Sequence, residues 1–266
     1  MFEFAVFGDP ISHSLSPQIH EAFGKQFDLK IRYERIHTRA GELQIALAKF
    51  KQQGGLGANI TVPLKHEAFQ LCQQVSARAT KAQAVNTIGW TEQGELWGDN
   101  TDGEGLIRDL TVNHQLTLTH KSILLLGSGG AAAGILEPLL SFSPSLTVAS
   151  RDLEKAKKML PFKIKSVLYE MLADEENVFD YIINATSASL YNEIPPIPLH
   201  YFEKTCCIDL AYRLKEPTVF LQVAKDHGAS YIYDGLGMLV EQAALGFAKW
   251  HAKVPETQSV IKQLRQ

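Results

Sequence analysis

The sequence lacks a hydrophobic run long enough to cross a membrane. Its apolar stretches, such as Ile123 to Gly127, fall far short of the roughly 20 residues that a membrane-spanning helix needs. A secretory signal begins with a basic segment that is followed by an apolar one. The opening residues, Met1 to Ala5, do not have this pattern. We therefore expect no membrane partner and a cytoplasmic location.

The chain also lacks a surplus of positive charge, a cysteine framework and a histidine cluster. Because the formal net charge is -3, a nucleic-acid partner is not expected. Only three cysteines occur, and Cys206 and Cys207 are adjacent in an apolar run, which suits neither a disulfide nor a zinc site. None of the nine histidines forms an H-x-x-x-H pair, so we predict no metal site.

Strand-like and helix-like segments alternate along the first half of the chain. With 266 residues and 45% hydrophobic content, the sequence can form two cores of roughly 100 to 150 residues each. The pattern predicts strands over Phe4–Gly8, Ile31–His37 and Gly57–Thr61, and a hairpin of Val85–Trp90 with Glu95–Trp97. It predicts helices over Gly41–Gln52, Lys65–Cys72 and Ala77–Gln83, and two more that begin at Pro17 and at Asp102. We interpret residues 1–102 as an α/β domain.

The second half predicts a doubly wound parallel sheet. Lys121 to Gly127 is a continuous apolar strand of the kind that is buried on both faces of such a sheet. Further strands are predicted over Leu146–Ser150, Tyr181–Ala185, Cys206–Leu210 and Ser230–Tyr233. Gly235-Leu236-Gly237 interrupts the pattern before two helices, one through Trp250 and one over Thr257–Gln266. We assign residues 103–236 to this domain and 237–266 to helices that return to the first domain.

A glycine-rich turn links the first strand of the second domain to an alanine-rich helix. The residues Gly127, Ser128, Gly129, Gly130, Ala131 and Ala132 fit the G-x-G-x-x-A pattern in the strand-to-helix context that a dinucleotide fingerprint requires. Glycines permit the tight turn and close approach of a diphosphate to the helix N-terminus. The sequence therefore predicts a Rossmann-type domain that binds NAD or NADP.

The end of the next strand favours NADP. Ser150 ends that strand and Arg151 follows it, so the first charge met is positive, and Lys155 adds another one turn later. A guanidinium can grip the 2′-phosphate with paired hydrogen bonds. Asp152 opposes this choice, but as the cap of the following helix it would direct its oxygens to backbone N–H groups. NAD stays the alternative cofactor.

Three polar stretches of the first domain carry candidate chemistry: Ile11–Pro17, Asn59–Lys65 and Gly98–Gly103. Each has a structural interpretation, since Ser16-Pro17 reads as a helix cap followed by proline and Thr101-x-x-Glu104 as a capping box. A dinucleotide domain changes the balance, because carbonyl reduction needs a proton donor as well as a hydride. Lys65 and Asp102 each follow a predicted strand, so both could face one cleft at strand carboxyl ends and supply that proton.

With these residues in view, the chain resembles bacterial shikimate dehydrogenases nearly end to end. Eight blocks carry the resemblance in order: Val6–Gly8, Ser12–Pro17, Gly57–Lys65, Ala84–Thr87, Gly98–Gly103, Gly127–Ala132, Asn184–Ser187 and Asp234–Met238. The resemblance implies a reversible NADPH-dependent reduction of 3-dehydroshikimate to shikimate in aromatic amino acid and chorismate biosynthesis, by a monomer or a homodimer.

The resemblance also implies roles for individual residues. Lys65 and Asp102 correspond to the catalytic pair, with Lys65 as general acid and base. Ser14 and Ser16 correspond to the hydroxyls that receive the substrate carboxylate, and Tyr212 to a tyrosine near that carboxylate. Thr61, Asn86 and Gln242 correspond to residues that bind substrate hydroxyls. Cofactor contacts are implied for Thr186, Ser187, Gly235 and Met238, the last two in the segment near the nicotinamide.

Two alternative functions stay open. One is a quinate/shikimate dehydrogenase that uses NAD, and the other is a catalytically silent relative that only binds the ligand. The silent relative predicts loss of Lys65 or Asp102, and both are present. After Tyr212 the usual Thr-Pro order of the family is reversed in Pro217-Thr218. A serine hydrolase is excluded because no G-x-S-x-G elbow occurs, Ser128 lying in the phosphate-loop context.

Overall fold

The computed structural model describes residues 1–159, 164–174 and 178–266. The chain forms two compact units. Unit 1 consists of Met1–Gly105, Leu239–Leu264 and Gln266, and unit 2 of Leu106–Met238 and Arg265. Among the described residues, no helix combines the length and the apolar character that crossing a membrane requires.

The first part of the chain contains six strands and five helices. The strands are β1 (Phe2–Gly8), β2 (Ile31–His37), β3 (Gly55–Ile60), β4 (Gln74–Val75), β5 (Thr87–Trp90) and β6 (Leu96–Asp99). The helices are α1 (Ser16–Gln26), α2 (Leu43–Gln52), α3 (Lys65–Leu71), α4 (Ala77–Ala82) and α5 (Asp102–Arg108), the last continued by a π-helical turn, Asp109–Asn113.

The described residues that follow add six strands and five helices. The strands are β7 (Ser122–Leu126), β8 (Ser145–Ser150), β9 (Lys165–Leu168), β10 (Tyr181–Asn184), β11 (Cys206–Asp209) and β12 (Tyr231–Asp234). The helices are α6 (Gly130–Leu140), α7 (Leu153–Met159), α8 (Val219–Asp226), α9 (Leu236–His251) and α10 (Gln258–Leu264), with 3₁₀ turns over Tyr169–Asp174, Ala188–Tyr191 and Leu199–Phe202.

Unit 1 is built on a mixed sheet with the strand order β2-β1-β3-β5-β6-β4. Strands β1, β2 and β3 are parallel, whereas β5 runs antiparallel to both β3 and β6. Strand β6 therefore points the same way as β3, and the carboxyl ends of β1, β3 and β6 lie at one edge of the sheet. The amino end of β5 lies at that same edge.

Both faces of the unit 1 sheet are covered, as the alternation along β1 requires. Ala5 and Phe7 pack in a core with residues of α2, α3 and α4, while Phe4 and Val6 pack on the opposite face, where Trp250 of α9 stacks on Phe4 with ring centroids 4.6 Å apart. Helices α9 and α10 contribute to unit 1 from Leu239 onward. The helices for which the sequence predicts a return to the first domain thus contribute to unit 1.

Unit 2 is built on a parallel sheet with the order β12-β11-β10-β7-β8-β9. The chain proceeds from β7 outward to β9, returns to β10 beside β7 and then continues outward to β12. This is the doubly wound topology, and the crevice at the carboxyl ends of β7 and β10 is its switch point. Strand β7 is buried on both faces, with Ile123 and Leu125 in one core and Leu124 and Leu126 in the other. The predicted fold class is confirmed.

The strands that the sequence pattern missed are the edge strands β4 and β9, one in each sheet. Both are short, and neither has the apolar run of a central strand, because an edge strand is covered on fewer sides. The predicted interruption at Gly235–Gly237 was wrong in part, since α9 begins at Leu236. Gly237 lies in the first turn of this helix, where only glycine fits because a Cβ would collide with the Asp109 carboxylate.

Candidate active site

The sheet edge of unit 1 collects most of the predicted substrate-site residues. Ser14 and Ser16 follow β1, Thr61 and Lys65 follow β3, Asn86 directly precedes β5, and Asp102 follows β6 as the first residue of α5. These segments meet because the carboxyl ends of β1, β3 and β6 and the amino end of β5 coincide. The mixed topology thus brings together residues that are far apart in the sequence.

Lys65 and Asp102 form a hydrogen-bonded ion pair at this edge. The distance from Lys65 Nζ to Asp102 Oδ2 is 2.5 Å, and the side chains are 16% and 7% exposed. Each residue begins a helix, and the helix N-terminus favours the negative charge of Asp102. The Asp102 backbone N–H donates to Asn100 Oδ1 at 3.1 Å, which fixes the start of α5. The pair is therefore sheltered, oriented and still reachable from solvent.

Asn86 holds the other carboxylate oxygen. Its Nδ2 donates to Asp102 Oδ1 at 2.7 Å and lies 3.2 Å from Gln242 Oε1 and 3.0 Å from Thr101 Oγ1. Its Oδ1 accepts from the backbone N–H of Thr101 at 2.9 Å. Gln242 comes from α9, and its Nε2 donates to Leu239 O at 2.8 Å. The structure thus places Lys65, Asp102, Asn86 and Gln242 in one cluster.

Ser14 and Ser16 form a second polar group after β1. The Ser14 hydroxyl donates to Ser16 Oγ at 3.1 Å, and Arg35 Nε donates to Ser14 O at 2.7 Å. The predicted helix cap at Ser16 was wrong, because α1 begins at Ser16 itself and the capping position is Leu15. The Ser16 hydroxyl is therefore available for other partners. Thr61 is half-buried, and its methyl group faces Gly8, where a Cβ would clash with it.

A buried polar group behind these residues was not found from the sequence. Asn59 Oδ1 accepts from Tyr33 Oη at 2.6 Å and from His20 Nε2 at 3.1 Å, and Asn59 Nδ2 donates to Asn86 O at 3.2 Å. Burial, opposed by the Asn59 hydrogen bond, lowers the pKa of His20 to about 3, so the ring is neutral and donates. Asn59 opens one of the quoted polar stretches, but Tyr33 reads as an ordinary alternating strand residue.

The strand that leads to Asp102 is anchored by a buried carboxylate. Asp99 accepts from Arg78 Nη2 at 2.6 Å and from Ser76 Oγ at 2.5 Å, and it pairs with Lys249 Nζ at 2.8 Å. Burial raises the pKa of Asp99, but the hydrogen bonds from Arg78, Lys249 and Ser76 outweigh it and hold the pKa well below its usual range. Asp99 therefore remains ionised and fixes the end of β6.

The glycine-rich turn of unit 2 has the form that a diphosphate needs. Gly127 has a φ of +107°, a conformation that favours glycine, and a Cβ there would meet Thr186 Cγ2 at 3.1 Å. At Gly129 and Gly130, where α6 begins, a Cβ would meet nothing within 4 Å. Ala131 and Ala132 continue the first turn of α6. This open helix N-terminus fits an approaching phosphate.

The end of β8 is hydrogen-bonded to the glycine-rich turn. The hydroxyls of Ser128 and Ser150 are 2.8 Å apart, which joins the glycine-rich turn to the end of β8. Asp152 Oδ1 accepts from the backbone N–H of Lys155 at 2.9 Å, so Asp152 caps α7 and the prediction of this cap is confirmed. The side chains of Arg151 and Lys155 are exposed. Two positive side chains, Arg151 and Lys155, therefore face solvent on either side of Asp152, which is also exposed.

The loops after β10 and β11 share one buried carboxylate. Asp209 Oδ2 accepts from Ser189 Oγ at 2.5 Å and from Thr218 Oγ1 at 2.6 Å, while Asn184 Oδ1 accepts from Thr186 Oγ1 at 2.7 Å. Burial raises the pKa of Asp209 although these hydrogen bonds oppose it. The network holds the loop of Thr186 and Ser187 beside the switch point of the sheet.

The remaining predicted residues also belong to unit 2. Tyr212 is half-buried in the loop after β11, and Gly235 packs so closely on Leu210 O that no side chain would fit. Met238 is buried in the unit 2 core. The structure therefore places the cluster of Lys65, Asp102, Asn86 and Gln242 and the two serines in unit 1, and the glycine-rich turn and Tyr212 in unit 2.

Comparison with known proteins agrees with this arrangement. Residues 6–88 match the model of the shikimate dehydrogenase substrate binding domain, and residues 235–265 match that of the shikimate 5'-dehydrogenase C-terminal domain. Shikimate dehydrogenase (NADP(+)) of Nitrosomonas europaea is 45% identical over 271 residues, which cover 100% of this chain and 97% of the relative. The chain belongs to the shikimate dehydrogenase family.

Solved structures extend the family resemblance to the whole fold. An Ael1 enzyme from Pseudomonas putida is similar with a TM-score of 0.91 and 38% identity, covering 100% of this chain and 99% of that one. Shikimate 5-dehydrogenase from Thermus thermophilus, in complex with NADP(H) and shikimate, is similar with a TM-score of 0.88 and 31% identity over 100% of this chain and 99% of that one. The shikimate dehydrogenase substrate-domain match contains Ser14, Ser16, Thr61, Lys65 and Asn86.

Proposed function

We infer that this chain is an NADP-dependent shikimate dehydrogenase, which reversibly reduces 3-dehydroshikimate to shikimate in aromatic amino acid and chorismate biosynthesis. The observation that best supports this function is the sheltered Lys65–Asp102 pair, whose charged atoms are 2.5 Å apart. The chain is a member of the family and also has a domain of the dinucleotide-binding type. An oxidoreductase acting on an alcohol needs both a hydride carrier and a proton-transfer group. Unit 1 supplies the proton-transfer group, and unit 2 binds the hydride carrier.

In unit 1, Lys65 is the general acid and base. Its ammonium gives a proton to the ketone oxygen during reduction and its amine takes a proton from the hydroxyl during oxidation. Asp102 holds Lys65 Nζ in place, and Asn86 holds Asp102. Ser14 and Ser16 receive the substrate carboxylate, while Thr61, Asn86 and Gln242 bind substrate hydroxyls. The hydrogen-bonded cluster of Lys65, Asp102, Asn86 and Gln242 supports these roles because its donors and acceptors already converge.

In unit 2, the glycine-rich turn holds the cofactor diphosphate at the N-terminus of α6. NADP, when bound, carries the hydride. Arg151 and Lys155 bind its 2′-phosphate, and Thr186, Ser187, Gly235 and Met238 lie along the rest of the cofactor. Tyr212 assists carboxylate binding. The exposure of Arg151 and Lys155, together with the use of Asp152 as a helix cap, supports this assignment.

The assignment of the substrate is tested by comparing two acids. We expect the purified protein to reduce 3-dehydroshikimate with NADPH and to oxidise shikimate with NADP, with a much lower kcat/KM for quinate. The measurement is the initial rate as a function of each acid at saturating cofactor. A quinate kcat/KM equal to or above that for shikimate would instead support a quinate/shikimate dehydrogenase.

The assignment of the cofactor is tested at Arg151. We expect Arg151→Ala to lower kcat/KM for NADP by about 10-fold and to leave that for NAD within about twofold, because a charge-assisted bond to phosphate contributes about 1.5 to 3 kcal/mol. Lys158→Ala is the matched control, since it removes an exposed positive charge from the far end of the same helix, α7. An NADP preference that both variants leave equally unchanged would contradict the role of Arg151.

We also propose that residues 1–102 form the substrate domain and residues 103–236 the cofactor domain, and that residues 237–266 form helices that return to the substrate domain. The cytoplasmic location and the choice between a monomer and a homodimer stay predictions. Sedimentation of the purified chain with and without NADP measures the second of these directly.

A further inference from the structure

The side chain of Arg265 joins two loops of unit 2. These loops follow β11 and β12, neighbouring parallel strands whose last residues, Asp209 and Asp234, are paired in register. Arg265 Nη2 pairs with Asp234 Oδ1, and Arg265 Nη1 donates to Arg213 O at 2.8 Å. The two partners lie 31 and 52 residues from Arg265 in the sequence. One guanidinium thus fixes the loop after β11 against the end of β12.

Asp234 connects this pairing to the segment Gly235–Met238, which the proposed function places along the cofactor. Its Oδ1 accepts from the backbone N–H of Leu236 at 3.1 Å as well as from Arg265. That bond lies at the start of α9, because the helix begins at Leu236. The Asp234 side chain is 7% exposed, so loss of Arg265 would leave a sheltered carboxylate without its positive partner. Arg265 therefore stabilises the arrangement in which Asp234 holds the first turn of α9.

Arg213 connects the same pairing to the loop after β10. Its backbone oxygen accepts from Arg265, while its own guanidinium donates to Asn192 Oδ1. Asn192 ends the 3₁₀ turn Ala188–Tyr191, which follows β10. Tyr212, which the proposed function places near the substrate carboxylate, directly precedes Arg213. Two arginines thus hold the loops after β10, β11 and β12 in one arrangement.

These three loops border one half of the cofactor site. In a doubly wound sheet a dinucleotide lies across the switch point, with one mononucleotide on each half of the sheet. The glycine-rich turn and Arg151 follow β7 and β8, so the adenosine belongs to that half and the nicotinamide to β10, β11 and β12. A loop that is already ordered costs less to order when a ligand binds. The planar guanidinium suits this task because its donors can hold two acceptors at once.

We propose that Arg265 is a positioning residue that pre-organises the nicotinamide half of the cofactor site by holding Arg213 and Asp234 together. This inference rests on the proposed function and deepens it by naming a residue that acts on one half of NADP only. Arg265 itself does not touch the cofactor in this account. Its side chain is 40% exposed, so the expected effect is moderate.

The test compares the binding of NADPH with that of adenosine 2′,5′-bisphosphate, which lacks the nicotinamide half. Both dissociation constants are measured by calorimetry in the absence of substrate. We expect Arg265→Ala to raise the Kd of NADPH about 5-fold and to leave that of the bisphosphate within about twofold. Arg151→Ala should instead weaken both ligands, because both carry the 2′-phosphate. Lys262→Ala is the matched control, since it removes an exposed positive charge from α10, and it should leave both constants within about twofold.

Two further measurements separate positioning from charge and from general stability. Arg265→Lys keeps a positive charge beside Asp234, but its single nitrogen does not span both acceptors, so it should recover less than about half of the lost affinity. Hydrogen exchange of the cofactor-free protein should be faster in Arg265→Ala over residues 210–214 and at the amide of Leu236. Lys262→Ala should exchange like the wild type at these positions.

An equal loss of affinity for the two ligands in Arg265→Ala would overturn the inference, and so would an unchanged Kd of NADPH or full recovery in Arg265→Lys. Asp234→Asn breaks the same ion pair from the other side while keeping an oxygen for Leu236. It should show the same selective loss of NADPH affinity, and it decides the question if Arg265→Ala does not fold. A wild-type protein that binds neither ligand would be a different result, since it would overturn the proposed use of NADP and this inference with it.

Discussion

Lys65→Ala should lower kcat for shikimate oxidation by roughly 10²-fold or more while the KM of shikimate changes far less. Removal of a positioned proton-transfer group typically costs this much. The site supports the role because Lys65 Nζ is held 2.5 Å from Asp102 Oδ2 and its side chain, although sheltered, is 16% exposed and can be reached from solvent. The measurement is steady-state kinetics in both directions at saturating NADP(H).

Two variants separate proton transfer from charge. Lys65→Arg keeps a positive charge but carries a group that does not release its proton, so kcat should stay low. Lys249→Ala is the matched control, because Lys249 also pairs with a buried aspartate, Asp99, at 2.8 Å in the same unit. It should keep kcat within about threefold. A near-native kcat in Lys65→Ala would mean that the proton travels through another group.

Asp102→Asn should lower kcat and raise the KM of shikimate together, with a combined loss in kcat/KM of about 10²-fold or more. Both carboxylate oxygens accept from donors, Lys65 Nζ on one side and Asn86 Nδ2 on the other. An amide has only one oxygen, so its NH₂ must face one of these donors whichever way it turns. Two charge-assisted bonds at about 1.5 to 3 kcal/mol each are affected, and 1.4 kcal/mol is about tenfold.

The matched control for Asp102 is Asp180→Asn. Asp180 also pairs with a lysine, Lys121 at 2.8 Å, but on the exposed side of unit 2. Exposed pairs of this kind contribute about 0 to 1 kcal/mol, so its kcat/KM should stay within about twofold of the wild type. If Asp102→Asn also stayed within about threefold for both constants, Asp102 would be a structural residue only.

The meeting of Lys65 and Asp102 could be predicted from the sequence, because strand carboxyl ends gather at one edge and each residue follows a strand. The cap at Asp152 could be predicted for the same local reason, since a cap needs only the next turn of helix. The glycine-rich turn between β7 and α6 could also be predicted, because its pattern lies within six consecutive residues. These features are read from residues that are close in the sequence or from a simple rule of sheet topology.

Other features depended on contacts that no local pattern contains. Gln242 reaches Asn86 across 156 residues of sequence, and only the family resemblance indicated it. Tyr33 fits the alternation of a buried strand, so its hydroxyl gave no signal of the network to Asn59. Gly237 suggested a break in the pattern, whereas the reason for glycine there is the carboxylate of Asp109 packed against it.

The most direct test of the central claim is the oxidation of shikimate by the purified wild-type protein. The rate is measured from the absorbance of the reduced nicotinamide, first with NADP and then with NAD. The Lys65–Asp102 pair and the exposed guanidinium of Arg151 predict rapid turnover with NADP and a kcat/KM for NAD at least about tenfold lower. No turnover with either cofactor, or a preference for NAD, would contradict the assignment of an NADP-dependent shikimate dehydrogenase.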